Sequence, residues 1–156
     1  MSLVVALDDE EFLGKKRMIL AGEKSMKMEL DWDVWFAYAN ADPEFTLVSR
    51  WSDLRLRLVV DGATTDVRLA ASTLSRDKCG GDADTVVLEG AAAAWGDFLQ
   101  ALPARHNHHV LAMNQCRDDF RIADGFHVLV RNLSAITVAL ELLRASIVTR
   151  AEDIAC

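Results

Sequence analysis

The sequence predicts an α+β domain in two layers, an antiparallel-rich sheet covered by helices. Three observations carry that expectation. Residues 53–70 alternate apolar and polar side chains around an Asp-Gly turn. From Leu129 to Ile147, apolar residues recur at helical spacing (Leu129, Leu133, Ile136, Leu140, Leu143, Ile147). Between these stretches a short apolar run, Thr85 to Leu88, leads into an alanine-rich segment, Ala91 to Leu102.

Size and charge narrow the options. A chain of 156 residues, 51% apolar and 26% charged, can bury a core without disulfides or metals. Its net charge of -7 argues against nucleic-acid binding, which needs a basic footprint. Lys15-Lys16-Arg17, the one basic cluster, reads as a solvated face. Cys79, Cys116 and Cys156 share no metal-ligand spacing, so free thiols in a reducing compartment are expected. No run approaches the ~20 apolar residues of a membrane span, so no stable membrane insertion is expected. The apolar opening Met1–Leu7 is short and meets Asp8-Asp9-Glu10-Glu11 at once, unlike a signal peptide. The expected location is cytoplasmic.

Taken in order, Asp8 and Asp9 are candidate caps of a helix running through Phe12, Leu13 and Lys16 towards Ile19-Leu20. Residues 1–40 read as an N-terminal extension, partly helical. The domain proper is placed at 41–150, the whole forming one compact unit. Trp32, Trp35, Phe36 and Ala39 lie at helical spacing. Asp42-Pro43-Glu44 is a helix start, with Asp42 as N-cap and Pro43 in the first turn, and this second helix runs to about Arg50. Leu54, Leu56, Leu58 and Val60 alternate with Arg55 and Arg57, and Thr65, Val67 and Leu69 with Asp66 and Arg68. With Asp61-Gly62 between them, these are the arms of a hairpin, with Arg and Asp able to pair on its wet face.

Residues 71–82 read as a loop or ragged strand. Thr85 to Leu88 is a strand. Ala91 to Leu102 is a helix with Trp95, Phe98, Leu99 and Leu102 on its apolar face, stopped by Pro103. A polar linker, Arg105 to His109, precedes a second short apolar run, Val110 to Met113. Phe120 and Ile122 form a last strand, and Asp124-Gly125 turns it into the longest helical pattern in the chain.

Chemical signatures are sparse. Dinucleotide, phosphate-loop, zinc-protease, nucleophile-elbow and calcium-loop motifs are all absent. His106, His108 and His109 cluster, but no Cys, Asp or Glu joins them at a recognised ligand spacing, so no metal and no cofactor is expected. Asp118-Asp119 are adjacent acids of the kind that usually solvate a turn. Cys116 has no evident activating base. The only candidate acid–base set draws on His109, His127, Asp118 and Asp119. Against this stands a large apolar constellation of Trp95, Phe98, Leu102, Phe126, Leu129, Leu133, Ile136 and Leu140. Each is an ordinary core residue taken alone. Together they suit the lining of an apolar pocket.

The string of features resembles a known family. Asp42-Pro43-Glu44-Phe45, then Ser49-Arg50-Trp51, leads into the strand with Leu54, Leu56 and Leu58. Val86-Val87-Leu88-Glu89-Gly90 leads to a helix with Ala93-Ala94-Trp95 and Phe98. Phe120-Arg121-Ile122-Ala123-Asp124-Gly125 leads to a long helix containing Arg131-Asn132-Leu133. Over about residues 42–145 this is similar to the sterol carrier protein 2 (SCP2-like) sterol-binding domain family. The resemblance implies a curved, mostly antiparallel sheet of about five strands, covered by helices on one side. It further implies an apolar tunnel between the layers for sterols, fatty acyl chains or acyl-CoA. Members act as carriers or as accessory domains of enzymes such as alkyl sulfatases, without general catalytic residues to transfer. Residues 1–40 have no counterpart in the pattern, and Ile154-Ala155-Cys156 is not a peroxisomal address.

Three functional expectations follow. The first is a non-catalytic binding or carrier protein for a lipid-like ligand, held between the sheet and the helices at 91–102 and 126–147. The second is a small enzyme of cyclase, isomerase or hydrolase type using the same cavity with a His/Asp pair. The third is an accessory or interaction subunit with a filled core and an apolar patch on Trp32, Trp35 and Phe36. Expected partners are a small apolar ligand and, as an option, a second copy of the chain or a partner enzyme.

Overall fold

The β-hairpin anticipated at 53–70 organises the sheet. Strand β3 (Asp53–Val60) pairs antiparallel with β4 (Ala63–Ala70), Leu56 opposite Val67 and Arg57 opposite Asp66. Both turn residues have positive φ, Asp61 at 48° and Gly62 at 85°, as a tight primed turn requires. The computed structural model describes residues 17–21, 27–78 and 81–155. Among these, β1 (Arg17–Ala21), β2 (Lys27–Asp31), α1 (Trp32–Ala41) and α2 (Pro43–Val48) precede the hairpin. After it come β5 (Thr73–Arg76), β6 (Thr85–Gly90), α3 (Ala92–Phe98), α4 (Val110–Cys116), β7 (Phe120–Asp124), α5 (Phe126–Arg131) and α6 (Leu133–Ala155).

The five-stranded sheet has the order β5-β4-β3-β6-β7. Neighbours are antiparallel except β3 and β6, which run parallel. β1 and β2 form a separate two-stranded ribbon. One face of the sheet turns Leu54, Leu56, Leu58, Val67, Leu69 and Leu88 into the core. The other carries ion pairs: Arg57 grips Asp66 at 2.8 Å and Arg121 meets Glu89 at 2.6 Å, both partly exposed, while Arg55 and Asp77, at 2.5 Å, are largely covered. The sheet is thus two-sided in the sense the alternation predicts, an α+β layer pair.

Both sheet edges are closed by an asparagine. On β5, Asn40 of α1 donates to the Leu74 carbonyl (3.0 Å) and accepts from the Leu74 N–H (2.8 Å). On β7, the Asn114 carbonyl oxygen of α4 accepts from the Ile122 N–H at 2.8 Å. Each side chain mimics a piece of a neighbouring strand and blunts an edge that would otherwise recruit another chain.

Several elements differ from expectation. The helix expected from Asp8 lies mostly outside the described residues, but its end at Ile19-Leu20 falls within strand β1, because β2 completes the backbone hydrogen bonds there. α1 is capped by Asp31, which accepts from Asp33 N–H, and α2 by Asp42, which accepts from Phe45 N–H at 2.8 Å. Trp32 and Trp35 are buried, not a surface patch: Trp35 is 0% exposed and donates to the Ala139 carbonyl at 2.7 Å. Helix α1 therefore belongs to the common core. α2 stops at Val48, short of Arg50, and residues 73–76 form a regular edge strand.

The apolar run at 110–113, left without an element by its sequence, is the start of helix α4, Val110–Cys116. His109 supplies the reason, since its side chain accepts from the Leu111 N–H and caps the first turn. α3 ends at Phe98, and Leu102 is 92% exposed rather than on the buried face. Trp95, Phe98 and Leu99 already fill the available contact, and Pro103 disfavours a helical residue before it. The long apolar stripe is carried by two helices. Asn132 breaks them, its N–H shared between Val128 and Leu129 and its side-chain amide donating to Val128. Ile136 N–H then bonds Asn132 and starts α6. The interruption leaves the stripe in phase: Leu129, Ile136, Leu140 and Leu143 are all 2% exposed or less.

Candidate functional site

The residues expected to line a pocket divide into three groups. Trp95, Phe98, Leu129, Ile136 and Leu140 are buried between the helices and the sheet. Leu133 is half-buried at the start of α6. Leu102 and Phe126 are exposed, Phe126 at 54%. The buried group is tightly organised. Trp95 donates to the Val59 carbonyl at 3.0 Å and meets the rings of Phe98 and Phe120 edge-on. Gly90 permits this, because a Cβ there would lie 2.8 Å from the Phe120 ring and 3.2 Å from Trp95 Nε1. Phe98 is covered from outside by Arg144, whose guanidinium sits 4.5 Å from the ring centroid while its Nε donates to the Phe98 carbonyl. Desolvation there pulls the Arg144 pKa down from its usual value.

Beside the α5–α6 break the surface opens. A groove of about 540 Å³ is lined by Val48, Trp51, Ser52 and Asp53 before and at the start of β3, Asp84 before β6, and residues 130–135. Trp51 is 86% exposed and Val130 50%, so apolar surface already faces solvent at its rim. Arg50 lies over the Trp51 ring, 5.4 Å from the centroid. Arg131 bonds Asp84 at 3.2 Å in an exposed pair. Leu133 joins this groove to the apolar stripe. Sequence reasoning missed Val48, Trp51, Ser52 and Asn132 as site residues. The available signal was Trp51 itself, a large aromatic set among Ser49, Arg50, Ser52 and Asp53, outside any apolar period.

The polar candidates sit elsewhere and are occupied. His109 accepts through Nδ1 from the Leu111 N–H at 3.2 Å, so its proton is on Nε2, which faces Thr137 Oγ1 at 3.2 Å. Burial, chiefly, lowers its pKa and keeps it neutral. It borders a crevice of about 10 Å³ with Phe98, Thr137, Leu140 and Glu141, room for one water. Asp119 is gripped by both arms of Arg117 at 2.7 and 2.8 Å, and this pairing holds its carboxyl below the usual range. Arg117 also reaches Asp97 and Asn107, tying α3, the linker and β7 together. His127 and Asp118 are exposed. The four residues are not brought into one cavity. Among the described residues no group of His, Cys, Asp and Glu has a metal-binding arrangement, and no helix is long and apolar enough to cross a membrane.

No protein-family model and no curated protein matches the chain. Two solved structures are similar. One, titled "Crystal structure of sterol carrier protein 2", is 15% identical, covers 72% of this chain and 92% of its own, and superposes with a TM-score of 0.53. The other, "UbiJ-SCP2 Ubiquinone synthesis protein", is 18% identical, covers 70% and 86%, and has a TM-score of 0.47. The first likeness shows that the chain has the sterol-carrier type of fold. At this identity the likeness concerns the backbone plan alone.

Proposed function

We propose that this protein binds a lipid-like apolar ligand without altering it chemically. The ligand would enter at the groove beside Trp51 and lie along the Leu129–Leu140 stripe. The observation that carries this reading is the groove itself, of a size suited to a small molecule and opening where Asn132 divides α5 from α6. A helix broken at one residue can move in two parts. Separating them would admit a chain between Leu133 and the buried Leu129 and Ile136. Binding would draw on burial of apolar ligand area, at roughly 25 cal/mol per Å². The sterol-carrier type of fold supports the ligand class, and the engagement of His109 and Asp119 in structural bonds weighs against acid–base catalysis.

A displacement assay with a fluorescent fatty acid, with native mass spectrometry of gently purified protein, tests this. Displaceable binding at one equivalent is expected. Failure of sterol, fatty acid and acyl-CoA probes alike to bind would overturn it. The accessory-subunit reading is favoured by one observation, the exposure of Trp51 and Val130 on one rim. It predicts that protein, rather than a small ligand, covers that rim.

A further inference from the structure

The groove has a polar end that apolar burial alone does not explain. Ser52 lines it, is only 6% exposed, and has no hydrogen-bond partner for its hydroxyl among the described residues. A buried hydroxyl without a partner is costly and calls for a ligand or ion. Facing the same groove is the first turn of α6, Leu133, Ser134 and Ala135. This helix runs for 23 residues, and its leading N–H groups have no intrahelical acceptor. Among the described residues no side chain accepts from these three N–H groups. Asn132, at the capping position, spends its amide on the Val128 carbonyl instead. Arg131 completes the donors on the rim.

We propose that this end of the groove is an oxyanion site, holding a carboxylate or phosphate between Ser52 Oγ, the α6 N-terminus and Arg131. The helix end favours negative charge and presents donors to it. Two carboxylates line the same groove and must be accounted for. Asp53 is paired with Arg68, outside the groove. Asp84 holds Arg131 through one exposed contact, a weak pair in water, so an entering oxyanion can take the guanidinium at little cost. Asp84 thereby acts as the resident competitor for Arg131. As the head-group position of a bound amphiphile, the site rests on the carrier reading; as an anion site, it does not.

The test is calorimetric titration of the full chain with dodecanoate, methyl dodecanoate and inorganic phosphate, repeated on Ser52→Ala, Arg131→Met and Asp84→Asn, each checked for an unchanged thermal transition. Dodecanoate should bind about tenfold or more tighter than its ester, as expected from one retained charge-assisted contact. Ser52→Ala and Arg131→Met should remove most of that difference. Asp84→Asn should widen it, which a purely structural Asp84 would not do. Equal binding of acid and ester overturns the oxyanion site and leaves the carrier reading standing. Phosphate binding that follows the same variant pattern, with neither chain compound bound, keeps the anion site and overturns the carrier reading. No binding of any probe overturns both.

Discussion

The indole Nε1 of Trp35 donates a 2.7 Å hydrogen bond to the backbone carbonyl of Ala139, joining residues 104 positions apart in the chain. The bond pins α1 to the middle of α6, and Trp35 is wholly buried between them. Trp35→Phe keeps an aromatic ring and loses the bond. Ala139 retains its own helical acceptor role, so no carbonyl is orphaned. The expected cost is about 2 kcal/mol, one hydrogen bond plus a small void, read as a lowered urea midpoint with unchanged slope. A neutral result would mean that α1 docks on the core without depending on this contact.

Much of the plan was legible because it rests on local chemistry. Asp61-Gly62 announced the hairpin, Asp42-Pro43 the helix start, and Asp124-Gly125 the turn, each through backbone preferences written in two residues. The stripe from Leu129 to Leu143 gave the core face. What stayed hidden depends on partners distant in sequence. Val110–Met113 is too short an apolar run to declare its element until His109 is seen to cap it, and the Asn132 break has no sign in a periodicity that continues through it. The parallel pairing of β3 with β6 requires knowing where the chain returns. Trp51 stood out only as an aromatic among polar residues, and Ser52 not at all, because burial and an unmet hydrogen bond are properties of the fold, not of spacing.

Gly125 has φ of +74°, and a Cβ built there collides with the Thr85 carbonyl and lies 3.0 Å from Val86 Cα. Both obstacles are backbone of β6, which cannot step aside without leaving the sheet. Gly125→Ala should cost more than about 4 kcal/mol and leave little folded protein in the soluble fraction. Gly62→Ala is the control. Its φ is +85° with nothing within 4 Å, so only the conformational penalty of about 1–2 kcal/mol applies. Equal losses in the two variants would refute the steric account.

Asn40 gives both of its hydrogen-bonding groups to Leu74 on the edge strand β5. Asn40→Ala should destabilise by about 1–2 kcal/mol. A second consequence separates this role from ordinary packing. The freed N–H and carbonyl of Leu74 restore an open sheet edge, so the variant should self-associate as concentration rises. Light scattering over a hundredfold concentration range measures this, as a rise in apparent mass relative to wild type at the same concentration.

His109 caps α4 only while Nδ1 keeps its lone pair, and burial, more than the charge of His108, holds its pKa below the ordinary 6.5. Glu141 opposes that shift, and Arg144 lies nearby, bonded to the His108 carbonyl. As pH falls through 6.5 the unfolded chain takes up the proton before the folded one does. Stability is therefore flat above about pH 7 and declines below it, until the folded imidazole itself titrates. His109→Asn keeps a good capping side chain and removes the titration, so its melting temperature should change less between pH 7.5 and 5.5 than that of wild type. Asp119, whose carboxyl is depressed by Arg117, acts in a separate window that opens only as pH falls towards its ordinary 3.8. Identical pH profiles for the two proteins would show that the cap does not carry the dependence.

Trp51 reports on the groove with little interference. The other three tryptophans, Trp32, Trp35 and Trp95, are 3% exposed or less, whereas Trp51 is 86% exposed. Emission from solvent-exposed indole lies to the red, so a ligand covering the rim should shift the spectrum to the blue and protect the exposed fraction from iodide quenching. Trp51→Phe should abolish the shift while leaving the apolar part of binding largely intact, since Phe still offers a ring to the rim. Leu133→Glu, at the junction between groove and stripe, puts a charge where a chain would have to pass. Because Leu133 is only half-buried, the substitution should leave the fold standing while weakening a dodecyl chain at least tenfold, a difference of about 1.4 kcal/mol. If Leu133→Glu binds as wild type does while Trp51 still reports the ligand, then the ligand rests on the rim and does not enter between α5 and α6.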